Sequence, residues 1–234
     1  MKEFSDISVV IPVREGSSRI KEKIFLPFGD NTSLLEWKIE QLKRVQSEDL
    51  IFLSSNSDRV KKVAFNMNVQ FLARSDYLST GHKASFSEVI TGVVKDIPTA
   101  HFAWVTVVVP LMSPKEYEEG FRVYLDKVAA RKEYDSLVSV NLMKEYLWDE
   151  NGPLNYCADK NHTISQELPD IYRVTNGLYM RNREDTLKEG YFLGRNPFKH
   201  VVNQIAGIDI DEYEDYQIAL ALKSVYGDAY AGRF

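Results

Sequence analysis

The chain has 234 residues, a formal net charge of -5, and the apolar and charged fractions of an ordinary globular protein. That length suits one good core better than two, and the acidic balance argues against a general nucleic-acid binder, which would show a basic domain. The single cysteine, Cys157, excludes an internal disulfide and fits a reducing compartment.

The start of the chain lacks a signal-peptide pattern, because the apolar run after Ile7 breaks at Pro12 and Arg14. The longest apolar run, Phe102 to Met112, is far short of the roughly 20 residues of a membrane helix. These features point to a cytoplasmic enzyme or binding protein, one domain over residues 1–234, with no membrane or nucleic-acid partner.

Apolar runs alternate with helical periods. Ile7 to Val13 is a buried-strand run. Leu35, Ile39, Leu42 and Val45 recur at helical spacing behind a Ser33–Glu36 capping box. Leu50–Leu53 reads as a strand, Ser57–Met67 as a helix, Val69–Leu72 as a short strand, and Phe86–Val94 as a helix. Ala103–Val109 is the strongest strand pattern, apolar on both faces and so central in a parallel sheet. Ser113, Pro114 and Glu116 cap a helix running to about Ala130, and Leu137–Asn141 is the next strand. Strand and helix in turn predict a Rossmann-like, three-layer α/β/α fold with a mostly parallel central sheet.

The rhythm breaks near Lys144. Alternating apolar residues around Asn151–Gly152 signal a hairpin, and Asp159 to Asp170 is polar and loop-like. Val174–Met180 and Ala206–Ile210 read as strands, and Tyr213–Val225 as a closing helix. Residues 144–173 are therefore a small hairpin excursion from the sheet. Tyr146, Leu147, Trp148, Leu154 and Tyr156 on it have little core to join, which predicts a homodimer contact.

The stretch after the first strand, "VREGSSRIKEK", puts four cations on an acidic protein. In open α/β sheets ligands bind beyond the carboxyl ends of the strands, where this loop sits. Gly16, Ser17 and Ser18 let backbone N–H groups approach an anion, and Arg14, Arg19, Lys21 and Lys23 supply charge. The loop is then a polyphosphate holder. The other reading, a solvated surface turn, stays open on local chemistry alone. The spacing is neither that of a Walker loop nor G-x-G-x-x-G.

"IPVREGSSRIKEK" resembles the opening motif of the cytidylyltransferases that activate acidic sugars, I-P-A-R-x-G-S-K-x-I-x-x-K-N; Ile11, Pro12, Arg14, Gly16, Ser17, Ile20 and Lys23 match. The resemblance continues through "SLLEWKIEQLKRV", "VTNGLYM" and "GIDIDEYEDYQIA", in the order of the acylneuraminate and Kdo cytidylyltransferases. It implies a Rossmann-like fold, CTP and Mg2+, and a CMP-linked product. It also implies nucleotide contacts from Pro12, Arg14, Gly16, Ser17, Ser18, Arg19, Lys23, Ser55 and Arg74, with the sugar near Asn176 and Gly177. Ser18 stands in place of the family lysine, Ile24 in place of its asparagine, "VTVVVPL" in place of "LQPTSPL", and "LSTGHKAS" in place of "LAxDxA".

Asp209 and Asp211, two apart at an expected strand end, would point to one side and share a Mg2+. Asp211 has a second reading, as the cap of an Asp-x-x-Glu pair with Glu214. Two more readings stay paired: Asn176–Gly177 borders a ligand or marks a bulge, and Arg74 contacts nucleotide or forms a surface ion pair. The four histidines have no ligand spacing. The resemblance thus implies a CTP-dependent nucleotidyltransferase, expected to form a CMP-activated nonulosonic or octulosonic acid with release of pyrophosphate. Arg14, Lys23 and Asp211 would be catalytic, and Asp209 and Asp211 would hold the metal. A phosphate or phosphonate acceptor, or a relative that binds nucleotide without turnover, are the alternatives.

Overall fold

The computed structural model describes residues 3–16, 19–30, 32–80 and 83–231, with side chains as far as Lys223. Ser17 and Ser18 of the cationic loop lie outside the described residues. β1 (Ile7–Pro12) is followed by a 3-10 turn over Lys23–Phe25 and a small hairpin, β2 (Pro27–Gly29) with β3 (Thr32–Ser33). α1 (Leu34–Lys43) starts on the expected capping box: Ser33 accepts from the Glu36 N–H, and the Glu36 carboxylate accepts from the Ser33 N–H. β4 (Ile51–Ser55), α2 (Asp58–Asn66), β5 (Gln70–Ala73), the single turn α3 (Asp76–Ser79) and α4 (Phe86–Val94) follow.

β6 (His101–Val105) precedes α5 (Pro114–Val123), which begins at the predicted Ser113–Glu116 box and continues as a π-helical stretch to Ala130. β7 (Ser136–Met143) leads to the excursion, whose hairpin is β8 (Trp148–Asp149) with β9 (Gly152–Pro153). The chain then forms β10 (Ile171–Asn182), α6 (Arg183–Glu189), β11 (Pro197–Val201) and α7 (Tyr213–Ala231).

Seven strands make one sheet in the order β11-β7-β10-β6-β1-β4-β5. Pairing is parallel except along β10, which runs against both β6 and β7. Side chains alternate between two cores, as period-two geometry requires. Val9, Ile11, Ala103, Val105 and Met180 face α1, α2, α5 and α7. Val10, Phe102, Trp104 and Tyr179 face α4 and the segment carrying Phe192. The sheet is thus covered on both faces, as the alternation of elements predicts.

Two expectations need correction. The apolar run to Val109 is not all strand: β6 ends at Val105, and Thr106–Met112 is a buried loop. Ala206–Ile210 is not a strand but turn and irregular chain. The edge place belongs to β11, whose "PFKHV" mixes a proline, a lysine and a histidine into a short run. Among the described residues, no helix is long and apolar enough to cross a membrane.

Candidate active site

β1 and β4 end side by side, with Pro12 level with Ser54. The chain beyond β1 is fastened there: the Val13 N–H donates to the Ser54 carbonyl at 2.9 Å. Arg74, just past β5, donates from Nη2 to the Val13 carbonyl (2.9 Å) and from Nε to Ser79 Oγ (3.0 Å). It is therefore not a surface ion pair. Burial first, and then the neighbouring Arg14 cation, lower its pKa to about 10. Two guanidinium groups meet here, and among the described residues no acid pairs with either. That is the electrostatics of an anion site.

Arg14 lines two cavities. One, of about 410 Å3, is polar, with Glu15, Gly16, Asn56, Ser57, Ser79 and Thr80 in its wall. A Cβ built on Gly16 would meet nothing within 4 Å, so the loop leaves open space there. Ser55 lies just beneath, buried, its hydroxyl accepting from the Ser57 N–H at 3.2 Å. The other cavity, of about 400 Å3, is lined by Pro12, Arg14, Arg74, Thr106 and Asn176 together with a wall of aromatic rings. Phe192 is the hub of that wall. Its ring centroid lies 4.1 Å from Tyr179, 4.7 Å from Tyr191, 5.5 Å from Phe86 and 5.7 Å from Trp104. The sequence reading missed this wall, because its members come from α4, β6, β10 and the segment after α6.

Asn176 joins the aromatic cavity to the acidic segment. It sits at a bulge of β10, where the register shifts between Val174 and Tyr179, with left-handed backbone at φ 59°. Its Oδ1 accepts from the Tyr179 hydroxyl at 2.6 Å, and its Nδ2 donates to Asp209 Oδ2 at 2.9 Å. Gly177 does mark a close approach, but of protein: an added Cβ would lie 2.8 Å from Met112 Sδ and 3.3 Å from a Val109 methyl.

Asp209 and Asp211 lie in irregular chain, so strand alternation does not place them. Asp209 is largely buried and burial raises its pKa, opposed by the Asn176 bond. Its Oδ1 is buried with no hydrogen-bond partner among the described residues. Asp211 is half-exposed and ion-paired to Arg19 at 2.9 Å. The carboxylate of Asp215, in the first turn of α7, accepts from the N–H groups of Asp211 (2.9 Å) and Glu212 (2.8 Å). Lys23 is buried, and its amine donates to the carbonyls of Ile210 (2.5 Å) and Asp211 (3.1 Å). Burial lowers its pKa, with Asp211 and Asp209 opposing. The amine thus faces the backbone of the acidic segment.

Among the described residues no cluster of three or more His, Cys, Asp or Glu side chains is arranged for a metal. Two carboxylates suffice for Mg2+, which commonly takes one or two plus substrate phosphates. The orphaned Asp209 oxygen is the hard donor such an ion takes, so these residues fit it.

A cytidylyltransferase family profile matches residues 8–100, the span from β1 to the start of β6. An N-acylneuraminate cytidylyltransferase of Escherichia coli is 20% identical over 227 residues, covering 93% of this chain and 52% of the relative. The chain spans about half the length of the curated relatives it matches. A solved structure of CMP:2-keto-3-deoxy-manno-octonic acid synthetase complexed with CTP shares the fold, with TM-score 0.67 at 14% identity over 94% of this chain and 99% of that one. So does 4-diphosphocytidyl-2C-methyl-D-erythritol synthase from Anaerococcus prevotii, with TM-score 0.61 at 13% identity over 95% of this chain and 98% of that one. Motifs, family profile and fold agree: this chain is similar to the cytidylyltransferases, N-acylneuraminate cytidylyltransferases among them.

Proposed function

We propose that this chain transfers CMP from CTP to the hydroxyl of an acidic sugar, releasing pyrophosphate. One observation carries the reading: Arg14 lies in the wall of both a polar cavity and an aromatic-walled one. A nucleotide in the first and an acceptor in the second would meet at a cation, where the α-phosphate needs charge neutralised. Arg14 and Arg74 bind and orient the anionic groups. Alignment of the acceptor hydroxyl in line with the α-phosphorus supplies much of the rate. Asp209 and Asp211 are the residues that would hold Mg2+, which when bound neutralises triphosphate charge. Lys23 fixes the backbone that carries both acids. The rings of Phe86, Trp104, Tyr179, Tyr191 and Phe192 suit an acceptor with an apolar substituent.

The excursion supports a second part of the proposal, a homodimer. Trp148 is 61% exposed and Leu154 60%, and Tyr146 and Tyr156 pack edge to face at 4.6 Å beside them. Exposed apolar side chains gathered on one hairpin favour a contact surface. The experiment for the reaction is product analysis by mass spectrometry after incubation with CTP, Mg2+ and a panel of 2-keto sugar acids. CMP-linked acid supports the reading. Conjugates formed only with phosphorylated or phosphonate compounds would change the acceptor class, and CTP binding without product would leave a nucleotide binder.

A further inference from the structure

The loop Thr106–Met112 is buried but joins no sheet, so its carbonyls need donors from elsewhere. α1 provides them. Trp37 Nε1 and Gln41 Nε2 both donate to the Pro110 carbonyl at 2.9 Å. Lys38 Nζ donates to the Val109 carbonyl and to the Tyr117 hydroxyl, each at 2.8 Å. Lys38 is 0% exposed and cannot touch a substrate. A buried amine is costly, and an apolar residue of similar size would pack without that cost. Burial lowers its pKa to about 7, with the Glu116 charge offsetting only part.

What the held loop does next is the informative part. Its Val108 carbonyl accepts from the N–H of Ile210, the residue between Asp209 and Asp211, at 2.8 Å. At its other end, Thr106 Oγ1 donates to the Asn176 carbonyl at 2.7 Å, and Asn176 in turn bonds Asp209. Lys23 holds the Ile210 carbonyl from the opposite side. The acidic segment is therefore clamped at one residue, by Lys23 on its C=O and by the loop on its N–H.

We infer that Lys38 is a positioning residue: by fixing the Val109 carbonyl it sets the adjoining Val108 carbonyl, and through it the Asp209–Ile210–Asp211 backbone. The consequence for metal and nucleotide rests on the nucleotidyltransfer reading above; the consequence for the backbone does not.

The test compares Lys38→Met with Tyr117→Phe. The first removes the donor to Val109. The second removes the other partner of the same amine and leaves the Val109 bond in place. Amide exchange at Ile210 and the Mn2+ concentration that half-saturates CTP binding are read for both. Lys38→Met is expected to raise each by about tenfold, the scale of one lost buried hydrogen bond. Tyr117→Phe is expected to leave both near wild type, whatever it does to the melting temperature. Should Lys38→Met not fold, Gln41→Met removes one donor from the adjacent Pro110 carbonyl and is expected to raise both readouts about threefold. Wild-type exchange at Ile210 in the folded α1 variant would overturn the inference. So would shifts in that variant and in Tyr117→Phe that merely track their losses of stability. A wild-type protein that binds no CTP with Mn2+ would sink the nucleotidyltransfer reading, and exchange at Ile210 would still decide the role of Lys38.

Discussion

Asp209→Asn should move stability and turnover in opposite directions. Among the described residues, Asp209 Oδ1 is buried without a partner, and its other oxygen takes only the Asn176 bond. An unsatisfied buried charged oxygen costs about 1–3 kcal/mol or more. Asparagine keeps an acceptor for Asn176 and removes the charge, so the metal-free variant should be as stable as wild type or up to about 1 kcal/mol more stable. Because the folded pKa of Asp209 is raised, its protonated form stabilises the fold below the unfolded value and that contribution is lost as pH rises. The advantage of the variant should therefore be greatest at pH 7 and vanish near pH 4, about the unfolded aspartate value. With the proposed metal role for Asp209, turnover should fall at least about a hundredfold, or about 2.7 kcal/mol, because the charge assigned to the metal–triphosphate has gone. Urea unfolding in EDTA at several pH values, and pyrophosphate release in Mg2+, read the two quantities. A variant that is less stable at pH 7 and turns over normally would refute the reasoning.

Other perturbations separate framework from site. Lys23→Met leaves the carbonyls of Ile210 and Asp211 without their donor, and should cost about 2–3 kcal/mol in urea unfolding even without ligands. Tyr191→Ala, at a half-exposed ring of the proposed acceptor wall, should raise the acceptor KM with little change in the CTP KM or in Tm. His101 and His200 are both held below the usual histidine pKa by burial, so stability should decline as pH falls below about 6.5, and His200→Gln should flatten part of that decline. Leu154→Asp on the excursion should convert a dimer to monomer in light scattering at micromolar concentration, and a monomeric wild type would end that part of the proposal.

Much of the fold was legible because it is written locally. The Ser33–Glu36 and Ser113–Glu116 boxes mark helix starts by their own chemistry. The burial of Val9, Val10 and Ile11 against two cores shows as an unbroken apolar run. The errors come from residues whose state is set at a distance. Val107–Val109 read as strand because apolar content cannot tell a buried strand from a buried loop, and the donors that satisfy this loop sit on α1. Ile208 and Ile210 alternate like a strand, yet the Ile208 N–H turns back to the Ile205 carbonyl and the Ile210 N–H goes to the loop carbonyl of Val108. At the site, Arg14 and Asp209 stood out through resemblance and charge. The aromatic wall did not, since Phe86, Trp104 and Phe192 meet only after folding. Lys23 was legible as a cation, and its orientation toward two carbonyls was not.

The central claim is that CTP is cleaved between its α- and β-phosphorus and that CMP passes to an acid held at Arg14. Its most direct test uses CTP labelled at the α-phosphorus, incubated with the full chain, Mg2+ and each member of a 2-keto sugar acid panel, beside equal concentrations of ATP, GTP and UTP. The account predicts that the label appears in an acid conjugate with CTP, that unlabelled pyrophosphate is released in equal amount, and that the other three nucleotides react far more slowly. Label left wholly in CTP with every acid, or a faster reaction with ATP or UTP, would contradict it.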